Sequence, residues 1–407
     1  MLNKTVVNDE NYFQKGDSFF MKKIAASLCC VLIAYISTIF GVPFLSVKAE
    51  EFAVSDIKSA CLMDYASGEI LYQHNADERL PVASMVKLMT ILLTFEAIDE
   101  EEASIDDMVH VSENASGMGG SQVFIDPHCQ YKLEDLLKSV IVASANDASV
   151  ALAEHLAGSE NEFVLKMNNR ASELGMKNTH YSNCTGLPAA EQYSCARDTS
   201  ILNRELLSHE NYHKYSTIWM ETLVHPSGRE TGLVNTNKLI RYYKDCDGGK
   251  TGSTNEAGYC LSATAMRGGM RLISTVCGAN DSKNRFNQCS SMFNYGFANF
   301  ENKKIIDTQT AYTTLKVLGS KTSTVDLFAK NDYYALIKKS EKSTEYSYSV
   351  KCDESISAPA QKGDCVGELI IVKGGQEVGR VELVVGADLE KLTFKDSIKK
   401  IASNWSL

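Results

Sequence analysis

The chain of 407 residues is long enough for two or three domains and a sizeable core. At 44% hydrophobic and 23% charged it has the make-up of a globular protein, not of a disordered or fibrous one. A formal net charge of -10 and the lack of an extended basic stripe exclude nucleic acid as an expected partner.

Residues 1–20 are mixed and polar. Met21-Lys22-Lys23 then opens an apolar run from Ile24 to Leu45, and Val47-Lys48-Ala49 offers small residues to a signal peptidase. Residues 1–49 therefore read as a cytoplasmic stub plus a secretory signal, with an uncleaved membrane anchor as the alternative. Ten of the twelve cysteines follow this segment. An exported chain of that kind has disulfides or an environment that never oxidises its thiols.

Residues 59–65 alternate like a strand, Ala66 to Glu69 turn, and Ile70 to Gln73 return as a second strand. Pro81 to Leu93 reads as a helix that is apolar nearly all round, hence buried, with Pro81 at its entry. Ser84 and Lys87 lie one turn apart on one face of it. A lysine in an apolar helix loses hydration and its pKa falls. The neutral amine can take the serine's proton and make it a nucleophile. Ser-x-x-Lys also occurs at Ser55/Lys58 and Ser397/Lys400, so only the buried setting distinguishes this copy.

The acidic cluster Asp99 to Glu102 reads as a solvated face, and the Gly- and Ser-rich stretch 112–128 as a loop that lines a cleft. Leu133 to Val142 is a second apolar helix. It ends at Ala143-Ser144-Ala145-Asn146-Asp147, after which a further helix runs from Ala148 to Leu156. Another helix spans 160–174 and closes at Gly175. Residues 176–196 form a polar loop, and Asp198 caps a helix through Leu207. Asp245 to Ser253 reads as a strand of small residues that a ligand backbone can approach. Tyr259–Met266 and Met270–Gly278 form a hairpin around Gly268-Gly269, which places Cys260 opposite Cys277. A helix from Met292 to Phe300 ends this domain.

Composition changes near residue 303, where short strands begin: 305–306, 312–317, 366–372 and 378–385. These describe a small all-β domain in which Cys352 and Cys365 could pair. In the tail, Ile398, Ile401, Ala402 and Trp405 share one helical face, with Lys395, Lys399 and Lys400 elsewhere. That pattern is a short amphipathic helix of interfacial character; packing on its own β domain is the plainer alternative. The expected division is thus 1–49, 50–302, 303–392 and 393–407.

Lys250-Thr251-Gly252 occurs once and offers a cation and a hydroxyl beside a residue with no side chain. Taken with Ser84/Lys87 and Ser144-x-Asn146, each in its expected setting, it resembles the motif set of penicillin-binding proteins and serine β-lactamases. The closer resemblance is to low-molecular-mass penicillin-binding proteins, the serine-type D-Ala-D-Ala carboxypeptidases. It extends through Pro81 to Thr90 (with Val86 where the family commonly has Thr), Gly119 to Gln122, Ser144 to Ala148, Glu173 to Thr179 and Asp247 to Gly252. It covers about residues 53–300 and, more weakly, the later β domain and tail.

The resemblance implies an α/β (α+β) serine β-lactamase/transpeptidase-like domain, an antiparallel sheet with a helical cluster, followed by the small all-β domain. It implies an exported enzyme at the outer face of the membrane or in the cell wall. That enzyme needs no cofactor or metal, and its partners are the peptidoglycan stem peptide, β-lactams and, through the tail, the membrane surface. By resemblance Ser84 attacks the carbonyl between two terminal D-alanines and Lys87 is the general base. Ser144 relays the proton to the leaving amine, and Asn146 orients Lys87 and the substrate amide. Lys250 supplies positive potential, Thr251 binds the terminal carboxylate, and Gly252 leaves the approach open. The N–H groups of Ser84 and Ser253 form the oxyanion hole. Arg285, placed in a loop after the hairpin, is the carboxylate-binding arginine, with a plain surface arginine as the alternative. Lys87 is expected to be enclosed by Ser84, Ser144 and Asn146, with no carboxylate partner. A penicillin presents the same carbonyl and carboxylate and would acylate Ser84.

Three other readings compete. His209-Glu210-Asn211-Tyr212-His213 matches a zinc-protease pattern, but its flanks are polar and no third ligand stands out. A class A β-lactamase would carry Glu-x-x-Leu-Asn between Asn146 and Lys250, and none exists there. A silent penicillin-binding scaffold would have lost one of Ser84, Lys87, Ser144, Asn146 or Lys250.

Overall fold

The computed structural model describes residues 52–340, 346–394, 396 and 398. The expected signal segment and all of the amphipathic tail but 393, 394, 396 and 398 lie outside these residues. Among the described residues no helix is long and apolar enough to cross a membrane.

A five-stranded antiparallel sheet carries the first part of the chain. Its strands are β1 (Ser59–Asp64), β2 (Ile70–His74), β3 (Cys246–Thr254), β4 (Gly258–Arg267) and β5 (Met270–Ala279), in the order β2-β1-β5-β4-β3. β1 is buried along its whole length, as a strand covered on both faces must be. β3 lies at the sheet's edge, so one of its sides is free of strand partners.

The longer helices are α1 (Lys87–Asp99), α2 (Leu133–Val142), α3 (Asn146–Ala157), α4 (Glu160–Glu173), α5 (Ala196–Leu206) and α6 (Ser282–Asn299). α1 is the central one. Nine of its thirteen residues, from Lys87 to Ala97, are buried, in keeping with its apolar circumference. α5 fastens this cluster to the sheet through polar contacts. Ser200 Oγ lies 2.8 Å from Thr275 Oγ1, and Asn203 Nδ2 donates to Ser262 Oγ at 2.9 Å. α6 packs on the sheet at Gly296, where a Cβ would lie 2.5 Å from Leu272 and 3.1 Å from Leu62.

Several boundaries differ from the sequence reading. Pro81 to Val86 is not the first turn of α1: a 3-10 turn (Ala83–Val86) precedes the helix, and Ala83 takes φ +49°. Asp198 does not cap α5. Cys195 occupies the cap and accepts from the Asp198 N–H at 3.3 Å, while the Asp198 carboxylate holds Asn178 N and Thr179 Oγ1. α6 starts ten residues before Met292 because the Asp281 side chain caps Lys283 N and Asn284 N, which places Arg285 in a helix and not in a loop.

The β4–β5 hairpin turns on Gly268 and Gly269, both at positive φ, as a two-residue turn of this hand requires. Its register runs to Leu261 opposite Val276 and then shifts at a bulge before Tyr259 opposite Ala279. Cys260 and Cys277 meet at that bulge as free thiols in hydrogen-bonding contact. Cys352 and Cys365 are also free.

From Phe300 the chain is all β. Phe300–Ile306 pairs with Tyr333–Lys338. A six-stranded sheet runs in the order Tyr346–Cys352, Cys365–Lys373, Gln376–Val385, Thr324–Ala329, Ala311–Leu318, Ser355–Ser357. Leu327, Leu369, Ile371 and Leu383 form its fully buried centre.

Candidate active site

Three segments converge on the start of α1. Glycines let them come that close. A Cβ on Gly252 of β3 would lie 2.4 Å from Val82 O and 3.0 Å from Ser84 N. One on Gly186, at φ +81°, would lie 2.1 Å from Ala83 O. The turn that carries Ser84 is therefore pinched between the edge strand and the 176–196 loop, and only hydrogen atoms fit at the two contacts.

Lys87 is fully buried. Its Nζ lies 3.0 Å from Ser84 Oγ, 2.6 Å from Asn146 Oδ1 and 2.5 Å from the Thr185 carbonyl. No carboxylate is among these partners. Burial lowers its pKa from 10.5 to about 7, opposed by weaker attraction from the Cys184 and Asp147 side chains. The expected Lys87–Ser144 contact is replaced. Ser144, at φ +63°, places its Oγ 2.6 Å from Lys250 Nζ, and the Thr185 carbonyl takes the third position on Lys87.

Thr185 was not visible as a site residue, because a backbone carbonyl leaves no mark in residue type. Its signal was indirect. Asn183 Oδ1 accepts from Thr185 N, Thr185 Oγ1 and Gly186 N, and so shapes a tight polar turn of the kind Asn favours. Asn146 is fixed from the other side. Its Nδ2 donates to Gly119 O at 2.6 Å and its backbone N–H to Ser121 O at 2.7 Å, so the 112–128 loop does line the site.

Lys250 is also buried, bonded to Ser144 Oγ and, at 3.1 Å, to Thr251 O. Burial holds its pKa well below the ordinary lysine value, and the positive charges of Lys87 and Arg285 push the same way. Thr251 is buried beside it, while Ser253 is exposed two residues on along the edge strand.

Arg285 stands behind β3. Its Nη1 donates to Gly252 O at 3.0 Å and Cys260 O at 3.2 Å, Nη2 reaches Ser282 Oγ at 3.3 Å, and Nε has no partner. Burial lowers its pKa as well. Lys87, Lys250 and Arg285 thus bring three buried basic groups together, and none of their hydrogen-bond partners is acidic. Such a site favours an incoming anion.

The 209–213 motif is used in packing. His209 Nδ1 contacts Asp99 at 2.6 Å, and His213 faces Asp247 at 3.9 Å. The buried Tyr212 hydroxyl between them accepts from Gly249 N of β3 at 3.2 Å. The two histidines therefore point at different carboxylates on different elements.

A buried amine aimed at a serine, a second lysine on a second serine, and an edge strand open to a peptide are the parts that acyl transfer calls for. Residues 46–281 match the D-alanyl-D-alanine carboxypeptidase family, and residues 300–391 match the penicillin-binding protein 5 C-terminal domain. The D-alanyl-D-alanine carboxypeptidase DacF of Bacillus subtilis is 37% identical over 90% of this chain and 97% of its own length. The structure of penicillin binding protein 5 from Haemophilus influenzae is similar over 84% of this chain and 99% of that one, with TM-score 0.66 and 32% identity. Penicillin-binding protein D2 from Listeria monocytogenes, solved in its ampicillin-bound form, is similar over 61% of this chain and 99% of that one, with TM-score 0.54 and 32% identity. These matches favour a carboxypeptidase over a β-lactamase or a silent scaffold. The sequence motifs, the fold and both matched regions agree: the chain belongs to the D-alanyl-D-alanine carboxypeptidase family, the low-molecular-mass penicillin-binding proteins.

Proposed function

We propose that Ser84 is the nucleophile through which this carboxypeptidase removes the terminal D-Ala of a peptidoglycan stem peptide. One observation carries the assignment. Lys87 Nζ has two carbonyl acceptors, Asn146 Oδ1 and Thr185 O, and one hydroxyl neighbour, Ser84 Oγ. A neutral amine gives its two N–H groups to the two carbonyls. Its lone pair is then left facing the serine hydroxyl.

The substrate strand adds to the free edge of β3. Ser84 Oγ attacks the carbonyl carbon of the penultimate D-Ala while Lys87 takes the hydroxyl proton. The developing oxyanion is met by the Ser84 and Ser253 N–H groups. The C–N bond breaks, and Ser144 passes its proton to the leaving amine as it takes one from Lys250, which is hydrogen-bonded to it. Lys250, Thr251 and, one backbone layer behind, Arg285 favour the terminal carboxylate. Asn146 holds the substrate amide, and Gly252 keeps the approach clear. Water then frees the acyl-enzyme. A β-lactam presents the same carbonyl and carboxylate to Ser84; the ampicillin-bound relative supports that reading.

Mass spectrometry after mixing with penicillin should show one adduct on a peptide containing Ser84. Release of D-Ala from a stem-peptide mimic should vanish in Ser84→Ala. Undiminished release by that variant would defeat the assignment.

The same reading places the mature enzyme outside the cytoplasmic membrane after the 1–49 segment, with division at 302/303 and 392/393. The tail helix would hold it at the membrane surface through Ile398, Ile401 and Trp405. Flotation with liposomes should be lost when residues 393–407 are deleted; unchanged flotation would remove the membrane role.

A further inference from the structure

Cys260 and Cys277 take no part in the mechanism above, yet they sit one strand behind it. Cys260 is the register partner of Gly252, whose missing side chain lets β3 approach the Ser84 turn. Arg285 Nη1 bonds both the Cys260 and the Gly252 carbonyl. At the β4–β5 bulge the Cys260 thiol meets the Cys277 thiol, and both residues are fully buried. Cys260 Sγ also accepts from Gly278 N at 3.5 Å and donates to Ala257 O at 3.6 Å. The hydrogen bond from Cys277, helped by the Gly278 N–H and the charges of Arg285 and Lys58, lowers the Cys260 pKa against the effect of burial. The same bond and burial raise that of Cys277. One thiol is thus set up to attack and its neighbour to resolve. Gly278 is half-buried and the exposed Lys58 side chain lies on it, where a Cβ would come within 2.7 Å, so the bulge is near the surface.

We propose that Cys260 and Cys277 are a modification site, which a peroxide closes to a disulfide, and that this bond slows acylation at Ser84. The second clause rests on the Ser84 reading above; the first does not. Cys260, having lost its proton, attacks one peroxide oxygen. The S–O bond forms, the O–O bond breaks, and hydroxide leaves and takes up that proton as water. Cys277 then attacks the Cys260 sulfur. The S–S bond forms, the S–O bond breaks, and the second hydroxide leaves as water with the Cys277 proton. Two thiols are oxidised and one peroxide is reduced to two waters. A disulfide holds its sulfurs about 2 Å apart, well inside a contact between two thiols, so one strand must give. Cys277 is held on its far side, where Ser59 is its register partner and Lys58 N donates to its carbonyl at 3.1 Å. The pull therefore falls on Cys260, and through Arg285 and the β3 pairing it reaches Gly252, where only a hydrogen fits against the Ser84 turn.

The reduced full chain is treated with hydrogen peroxide, digested without reductant and mapped by mass spectrometry. A Cys260–Cys277 cross-link is expected; two thiols that remain alkylatable after denaturation would overturn the proposal. Acylation by a fluorescent penicillin should be about tenfold slower in the cross-linked protein and recover with dithiothreitol. Cys277→Ser should keep its acylation rate under peroxide. A cross-link with unchanged acylation, or an equal slowing in Cys277→Ser, would also overturn it. Should that variant not fold, wild type carries the test alone: the cross-linked fraction and the slowed fraction must rise together with peroxide, and a slowed fraction that does not follow the cross-link overturns the coupling. Should reduced wild type not be acylated at all, the Ser84 reading has failed and the thiol pair has not. Hydrogen exchange over residues 81–86 and 250–254 then reads the coupling, and equal exchange in the two redox states overturns it.

Discussion

Replacing Lys87 by Met separates what the buried amine does for catalysis from what it costs the fold. The wild-type pKa falls from 10.5 to about 7 on burial. Between those values the unfolded chain binds a proton that the fold does not. Stability is therefore complete above pH 10.5, declines as pH falls, and levels off below about 7. Linkage puts the destabilisation at about 4 kcal/mol at pH 7 and about 2 kcal/mol at pH 9. Lys87→Met removes that penalty but strands the Asn146 Oδ1 and Thr185 O acceptors, each costing about 1–3 kcal/mol. The two effects nearly offset at pH 7. The sharper expectation is the trend: wild-type stability relative to the variant should rise by about 2 kcal/mol from pH 7 to pH 9 in urea unfolding. Loss of the Lys87 charge also lets Lys250 titrate higher, which flattens the variant's own curve further. With the same amine as the proposed base, acylation by a fluorescent penicillin should climb with pH below about 7, plateau above it, and be lost in the variant. Parallel stability curves together with an acylation rate flat from pH 6 to 8 would refute a neutral Lys87 base.

Gly252→Ala forces a Cβ to 2.4 Å from Val82 O and 3.0 Å from Ser84 N. Thermal unfolding should report a loss of about 1–3 kcal/mol, and penicillin acylation should slow more than tenfold as the turn is pushed from the edge strand. Arg285→Met should raise KM for stem-peptide mimics more than it lowers kcat if the guanidinium draws the carboxylate. A fall in Tm with KM unchanged would assign it only to bracing Gly252 O and Cys260 O. Asn183→Ala frees the Thr185 turn, loosens the carbonyl on Lys87, and should shift the midpoint of the acylation pH profile.

Side-chain chemistry that depends on residue type was readable in the sequence. An all-round apolar helix forced Lys87 into the interior. Ser144 and Asn146 marked a helix junction, and Lys250-Thr251-Gly252 marked a strand open to a backbone. The Cys260 and Cys277 contact followed from counting outward from Gly268-Gly269, although the bulge beside it did not. Features set by backbone geometry were hidden. Ala83 and Ser144 adopt positive φ without being glycine or asparagine, so no propensity announces them. The hairpin Met220–Val224/Glu230–Val234 carries exposed residues at most positions on both strands and so lacks a hydrophobic alternation to read. α6 was read too short because the polar residues among Ser282 to Ser291 hid a stripe that already holds Phe286 and Cys289, behind a cap at Asp281. The partner of Ser144 was misassigned because sequence order says nothing about which of two buried lysines lies nearer.

That exchange of partners bears on how the site works. Each lysine has a serine of its own, Ser84 on Lys87 and Ser144 on Lys250, and burial holds both amines below their ordinary values. The Lys87 charge lowers Lys250 further, so a proton on Lys87 disfavours one on Lys250. In the proposed mechanism the nucleophile needs the base empty at Lys87, and the leaving amine needs a proton delivered at Ser144. A carboxylate bound beside Lys250 and Thr251, as proposed, would favour a charge on Lys250 over one on Lys87. Binding of the substrate's terminus would thus favour the neutral Lys87 that the proposed attack by Ser84 requires. The backbone strain at Ala83 and Ser144, about 1–3 kcal/mol each, is then the cost of aiming the two hydroxyls at two different lysines.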